Sequence, residues 1–111
     1  MDRRQRVMKA SLSLIELLRT ALAESAVGLT FCSGLHPVIY SANGVATYGS
    51  LPAASQDIEE ILRRLMSSRE MRQYRATGVV HFRCVFERVS LLGGAKIDGG
   101  RVRVELRRMA A

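Results

Sequence analysis

Residues 28–52 constrain the fold most, because they combine short apolar runs with strong turn signals. A turn at Ser33-Gly34 separates the first apolar run from two further runs, which are joined through Asn43-Gly44. Asn-Gly between apolar segments is the strongest short-range hairpin signal, since both residues tolerate the positive φ angles of a type I′ turn. We therefore expect three short strands, at residues 29–32, 38–41 and 45–48.

The N-terminal part of the chain changes from a basic to an amphipathic sequence. Residues 1–9 carry four cations against Asp2, so we interpret them as a basic extension and residues 10–111 as a single domain. This extension is either a solvated tail or a segment attracted to an acidic partner, a membrane surface or nucleic acid. Residues 11–25 place leucines at helical spacing, which predicts an amphipathic helix over this range, with Gly28 as the stop before the first strand.

Two further helices are expected between the hairpin and the last third of the chain. Ser55 is a candidate N-cap, and the acidic residues after it suit the positive end of a helix dipole. Ser67 lies three residues before Glu70, which fits a capping box, and Gly78 is expected to end the second of these helices. Apolar residues at helical spacing give each helix a face to bury: Ile58, Ile61, Leu62, Leu65, Met66, Met71 and Tyr74.

The last third of the chain is predicted to form three β-strands. In residues 79–86, apolar side chains at even positions alternate with mixed side chains at odd positions. A second strand is expected at residues 88–92, followed by a break at Gly93-Gly94, and a third at residues 101–108. If these strands share one sheet, their arginines at odd positions point to one face, which is either an interaction surface or an ordinary solvated face. The candidate interaction residues are Arg83, Arg101, Arg103 and Arg107.

The order of predicted elements is α-β-β-β-α-α-β-β-β, which fits an α+β domain with a largely antiparallel sheet covered by helices. A chain of 111 residues suits one modest core. No apolar run approaches the roughly 20 residues that span a bilayer, and no compact signal sequence follows the basic start, so we expect a cytoplasmic protein. Cys32 and Cys84 are far apart in sequence, and each lies among apolar neighbours. This predicts buried thiols rather than a disulfide or a metal site.

Several short motifs occur in a familiar order. After the first helix come the turn Cys-Ser-Gly-Leu-His-Pro at residues 32–37 and the hairpin Tyr-Ser-Ala-Asn-Gly at residues 40–44. A leucine-rich helix, a short helix ending in glycine and the strand Val-Val-His-Phe-Arg follow. Across residues 10–109 this order resembles the N-terminal domain of the twitching-motility (PilT-type) and type II secretion (GspE-type) ATPases. The resemblance implies a PAS-like α+β fold.

The chain also departs from the family pattern at several positions. The family's Asp and His on the first strand correspond to Gly28 and Thr30, and a strand Asp corresponds to His81. The family's Gly-Arg-Phe-Arg-Val-Asn strand corresponds either to residues 88–91 or to residues 100–105, and we expect the first. In family members, arginines of this region can approach nucleotide held by the motor domain, a role that these departures argue against here.

The motor of that family is missing from this sequence. No GxxxxGK[ST] motif is present, since Gly93-Gly94-Ala95-Lys96 has neither its spacing nor its hydroxyl. No spacing of Cys and His typical of a metal site is present either. We therefore expect no enzymatic activity and no catalytic, cofactor-binding or metal-binding residues.

The leading hypothesis is an interaction or regulatory module of a type IV pilus or type II secretion system. Its partner would be a second copy of itself, a motor or a scaffold protein. A second hypothesis is nucleic-acid binding, which a net charge of +7 and arginine-rich strands suggest. A third is a small-ligand sensor, because PAS-like domains often hold ligands between sheet and helix.

Overall fold

The computed structural model describes residues 13–47 and 52–109. They form three α-helices and six β-strands in the predicted order. The basic extension at residues 1–9 and Tyr48, the last residue of the third predicted strand, lie outside the described residues. The elements are α1 (Leu14–Ala23), β1 (Gly28–Cys32), β2 (Val38–Ser41), β3 (Gly44–Thr47), α2 (Ser55–Leu65), α3 (Ser68–Thr77), β4 (Val79–Phe86), β5 (Val89–Asp98) and β6 (Arg101–Arg108).

All six strands belong to one antiparallel sheet in the order β3-β2-β1-β6-β5-β4. The first and last strands of the chain, β1 and β6, pair at its centre. The predicted α+β class with a largely antiparallel sheet is therefore confirmed. No helix among the described residues is long and apolar enough to cross a membrane.

The core lies between the helices and one face of the sheet. Phe31, Val104 and Leu91 from the strands are fully buried, as are Leu18 and Ile58 from the helices. The apolar stripes of the helices form the other side of this core. The helices therefore cover one face of the sheet and leave the other face uncovered. The helical stripes buried in this way are Leu17, Leu18, Ala21, Leu22, Ile58, Ile61, Leu62, Leu65, Met71 and Tyr74.

Tyr74 is the largest fully buried side chain, and its hydroxyl group is still satisfied. The Tyr74 hydroxyl donates a hydrogen bond to the Glu59 carboxylate at 3.4 Å. Burial, together with the neighbouring Glu59 carboxylate, raises the pKa of the Tyr74 phenol to about 12. The phenol therefore stays neutral at physiological pH and serves as a hydrogen-bonded core residue.

The predicted ends of α3 are both confirmed. The Ser67 hydroxyl accepts a hydrogen bond from the Glu70 N–H, and the Glu70 carboxylate accepts one from the Ser67 N–H, which is a capping box. Gly78 follows the helix with φ +78°, the left-handed conformation that favours glycine.

Two other predicted helix ends are wrong. The N-cap of α2 is Ala54, and Ser55 instead donates its hydroxyl hydrogen to Ser33 Oγ at 2.8 Å. The helix α1 ends at Ala23, well before Gly28, because Ser25 takes the left-handed conformation with φ +67°. Gly28 begins β1.

Two predicted features of the hairpins are also corrected. The β2–β3 hairpin exists, but Ser41 pairs with Gly44, so Gly44 belongs to β3 and the two-residue loop is Ala42-Asn43. The expected break at Gly93-Gly94 does not occur, since β5 continues through both glycines to Asp98. The ring of Phe82 on β4 lies directly against Gly93, and this packing explains the glycine without a break.

We expect Ser67→Ala to lower the free energy of unfolding by about 1 kcal/mol, because it removes the side-chain acceptor of the capping box. Urea denaturation followed by circular dichroism would measure the loss. Ser68→Ala is the matched control, since Ser68 is the exposed next residue of the same helix. Equal losses for the two variants would contradict the capping role.

Candidate functional site

The sheet face opposite the helices is uncovered in the described part of the chain. Along β6 the odd-numbered residues are exposed and the even-numbered residues 102–106 are buried. We call the uncovered side the open face. It consists of the odd-numbered residues of β4 and β6, the even-numbered residues of β1, β2 and β5, and Val45 of β3.

All four candidate arginines lie on the open face, but they do not form one cluster. Arg83 and Arg107 both pair with Leu92, so the two cations flank an apolar side chain across three strands. Arg103 and Arg101 lie toward the other end of β6. Since strands rise about 3.3 Å per residue, Arg101 is about 20 Å from Arg107 along the strand.

Two acidic residues partly balance the positive charge of the open face. The Arg103 guanidinium donates two hydrogen bonds to one carboxylate oxygen of Glu105, at 3.0 and 2.8 Å. Both side chains are more than half exposed, so this ion pair adds little stability and instead fixes the position of Arg103. Arg101 pairs with Asp98 across the β5–β6 ladder. Arg83 and Arg107 are therefore the pair least balanced by carboxylates of the open face.

Arg107 belongs to a row of residues that pair across the sheet and that include three exposed apolar side chains. In register, Val45 faces Tyr40, Tyr40 faces Gly28, Gly28 faces Arg107, and Arg107 faces Leu92. The side chains of Val45, Tyr40 and Leu92 are 67%, 37% and 38% exposed. Exposed aliphatic and aromatic side chains next to arginines are typical of the centre of a protein interface.

A shallow groove of about 650 Å³ runs along the same face. The residues that line it include Gly28, Thr30, His81 and Gly94. The three positions that depart from the family pattern, Gly28, Thr30 and His81, thus all line one groove. The groove opens to solvent, away from the space between sheet and helices where a PAS-like sensor was expected to hold a ligand.

Neither cysteine is as buried as predicted. Cys32 lies on the open face, and Cys84 lies on the helix side of β4, and both thiols are free and partly exposed. Cys32 is partly exposed because alternation along β1 directs it to the face opposite the core residues Leu29 and Phe31. Burial raises the pKa of the Cys84 thiol, and the Glu70 carboxylate adds to this. Cys84 is therefore a poor nucleophile.

No group of three or more His, Cys, Asp or Glu residues in the described ranges could hold a metal ion. The nearest arrangement on the open face combines His81 with Glu105 through the intervening Gly94 position. These two side chains contribute polarity to the groove wall.

Sequence reasoning missed the two arginines that connect distant elements. Arg108 extends from β6 to the end of α1, where its guanidinium donates to the carbonyl oxygens of Leu22 and Ala26 at 2.8 and 3.0 Å. Arg19 of α1 binds Glu87 in the β4–β5 turn at 2.6 Å and lies over the ring of Phe86. No local motif marks these contacts, because the partners are 68 to 86 residues apart.

No protein-family model matches the sequence, and no curated protein matches it. Solved structures do share its fold. A crystal structure of the pilus retraction motor PilT with bound ADP matches with a TM-score of 0.74 and 18% identity, over 91% of this chain and 30% of that one. The ATPase DotB of Legionella pneumophila matches with a TM-score of 0.67 and 12% identity, over 85% of this chain and 27% of that one.

The chain therefore spans less than a third of the length of these two ATPases. At these identities the likeness concerns the fold alone. It confirms the resemblance seen in the sequence: this chain has the α+β fold found within the pilus retraction motor PilT and the ATPase DotB.

Proposed function

We propose that the chain is a non-enzymatic interaction or regulatory module that binds a pilus or secretion ATPase in the cytoplasm through its open face. The observation that carries this proposal is the uncovered row in which Leu92 lies between Arg83 and Arg107, with Tyr40 nearby. The fold shared with the pilus retraction motor PilT and the ATPase DotB supports the choice of partner.

The chemistry of the open face favours protein binding over catalysis. Arginine and tyrosine contribute most to interface energies, because each offers both apolar contact and hydrogen bonding. The sequence carries no phosphate-binding loop. A module of this kind would act by occupying or releasing a surface of the motor.

Binding to a purified PilT-type ATPase tests this function. Leu92→Asp and Arg107→Glu should each weaken binding by roughly tenfold or more, because they place a carboxylate in the centre of the contact. Fluorescence anisotropy with the labelled full chain would give the dissociation constants.

The control for these variants is Arg72→Glu, an equal charge change at an exposed position of α3, on the other side of the sheet. It should leave binding within about twofold, since surface charges far from a contact change affinity little. Unchanged binding of Leu92→Asp, or an equal loss for Arg72→Glu, would exclude the open face as the contact surface.

Nucleic acid is the second candidate partner, supported by the excess of cations on the open face. The cations are Arg83, Lys96, Arg101, Arg103 and Arg107, and the carboxylates are Asp98 and Glu105. Tyr40 is the one aromatic side chain that β1, β2, β4, β5 and β6 present there, which leaves little stacking surface for bases. A steep loss of oligonucleotide affinity with rising salt would favour this function over the protein contact.

A further inference from the structure

The outer edge of the sheet at β4 presents unpaired backbone groups. The two-residue turn Glu87-Arg88, with φ +47° and +73°, closes on the pair Phe86–Val89. In such a hairpin the closing pair is hydrogen-bonded, so the even-numbered residues of β4 direct their N–H and C=O groups toward β5. Gly78, the even-numbered residue just before β4, follows the same pattern, because its carbonyl accepts a hydrogen bond from the Ile97 N–H of β5 at 2.8 Å.

The odd-numbered residues of β4 therefore direct their backbone groups away from the sheet. At the start of the strand these groups are in contact with Thr77, because its hydroxyl oxygen lies 2.8 Å from the Val79 carbonyl oxygen and accepts from the Val79 N–H at 3.3 Å. For His81, Arg83 and Val85, no hydrogen bond to these backbone groups is formed within residues 13–47 and 52–109.

Apart from the charge of Arg83, this edge lacks the features by which proteins usually protect an edge strand. β4 is eight residues long, contains neither proline nor lysine, and pairs with β5 without a bulge. The side chains of Val79 and Val85 on its open face are 41% and 70% exposed. An unprotected edge of this length is a template for an added strand.

We infer that the β4 edge binds an extended acidic segment of a partner protein as a seventh, antiparallel strand. In this pairing the outward groups of His81, Arg83 and Val85 form the new ladder, and Arg83 is at its centre. A carboxylate directly opposite Arg83 would form a cross-strand ion pair on the open face. Apolar residues on either side of that carboxylate would cover Phe82 and the half-buried Cys84 on the helix side.

A second copy of the chain fits this edge poorly. The self-pairing register that uses all six outward groups places Arg83 directly opposite the other copy's Arg83. Like charges at directly opposed positions destabilise a strand pair. A register shifted by two residues would need the backbone groups either of Val79, which the Thr77 hydroxyl already contacts, or of Glu87, which lies in the turn with φ +47°. Charge therefore selects an acidic segment from another protein.

This inference goes beyond the proposed open-face contact, because backbone groups at the β4 edge do the binding. The probes are two end-blocked peptides, Ser-Thr-Val-Glu-Val-Thr-Ser and Ser-Thr-Val-Lys-Val-Thr-Ser, titrated into the full chain and followed by NMR. The glutamate peptide should bind roughly tenfold more tightly than the lysine peptide, because glutamate opposite Arg83 is attracted and lysine there is repelled. Binding should slow hydrogen exchange of the amides of His81, Arg83 and Val85.

Two variants separate backbone pairing from side-chain contact. Val85→Pro removes an outward N–H that does not bond to β5, and an edge strand tolerates proline at such a position. Because the peptide needs this N–H, the variant should abolish peptide binding. Val85→Ala loses the side chain but keeps the N–H, and should bind within about twofold of the unchanged chain. Arg83→Glu should reverse the preference between the two peptides.

Several outcomes would overturn the inference. These are equal binding of both peptides, no binding of either, equal binding by Val85→Pro and Val85→Ala, or a dimer whose β4 amides are protected without peptide. If Val85→Pro unfolds the chain, Arg83→Glu still decides the question through the peptide preference. Arg107→Glu changes a residue two strands away from Arg83. It should leave peptide binding intact while it impairs ATPase binding, so failure of the proposed function and failure of this inference are distinguishable.

Discussion

Gly93→Ala is expected to lower the free energy of unfolding by about 3 kcal/mol, the upper part of the range for overpacking a core. A methyl group at Gly93 would overlap the ring of Phe82, whose three outer carbon atoms would all lie within 2.8 Å of it. Phe82 is only 4% exposed, so its ring cannot turn away without displacing buried neighbours. Urea denaturation monitored by circular dichroism would give the change.

Gly94→Ala is the matched control for this prediction. A Cβ at Gly94 would have His81 Nδ1 as its nearest neighbour at 3.4 Å, which is an ordinary contact. Alanine lowers the conformational entropy of the unfolded chain, so Gly94→Ala should leave the free energy of unfolding unchanged or raise it by up to about 1 kcal/mol. Phe82→Leu should reduce the cost of Gly93→Ala in the double variant, because the two residues share one space. Equal effects at Gly93 and Gly94 would contradict the packing explanation.

Gly93 shows why part of the fold could not be predicted from the sequence. A Gly-Gly pair between strands is usually a break, and nothing local distinguishes that case from a glycine beneath an aromatic ring. The difference depends on register, which the Glu87-Arg88 turn fixes by placing Phe82 opposite Gly93. The strand alternation itself was predicted correctly, because a period of two depends only on neighbouring residues.

The helix ends follow the same division between local and distant contacts. The capping box of Ser67 and Glu70 is formed by residues three apart, and the sequence predicts it correctly. Ser55 has the right residue type for an N-cap, but its hydroxyl binds Ser33, which is 22 residues away in the chain. Ser33 is buried and also accepts a hydrogen bond from the Val102 N–H at 2.9 Å, so this network ties α2 to β1 and β6.

The candidate site was predictable in its side-chain directions but not in its layout. Alternation along β4 and β6 is enough to predict that Arg83 and Arg107 point away from the helices. Their position on either side of Leu92 requires the strand order β6-β5-β4, which no local pattern contains. The same order puts β4 at the edge, so the unpaired groups of its odd-numbered residues also follow only from the structure.

Arg108→Ala is expected to lower the free energy of unfolding by about 2 kcal/mol. The Arg108 guanidinium donates to the carbonyl oxygens of Leu22 and Ala26, and Ala26 is 2% exposed. The Leu22 carbonyl keeps a hydrogen bond from the Ser25 N–H, whereas the Ala26 carbonyl would lose its side-chain donor in a buried place. The cation also lies at the C-terminal end of α1, where the helix dipole favours positive charge.

Arg107→Ala is the control, because the two adjacent arginines point to opposite faces of β6. Arg107 is exposed on the open face, so its loss should change the free energy of unfolding by no more than about 0.5 kcal/mol. Arg108→Lys should fall between the two, since one ammonium group replaces a planar fork that contacts both carbonyl oxygens. Equal stability of Arg108→Ala and Arg107→Ala would show that the contact between β6 and α1 does not stabilise the fold. The opposite roles follow from strand alternation: Arg107 is available to a partner, and Arg108 holds the first helix on the sheet.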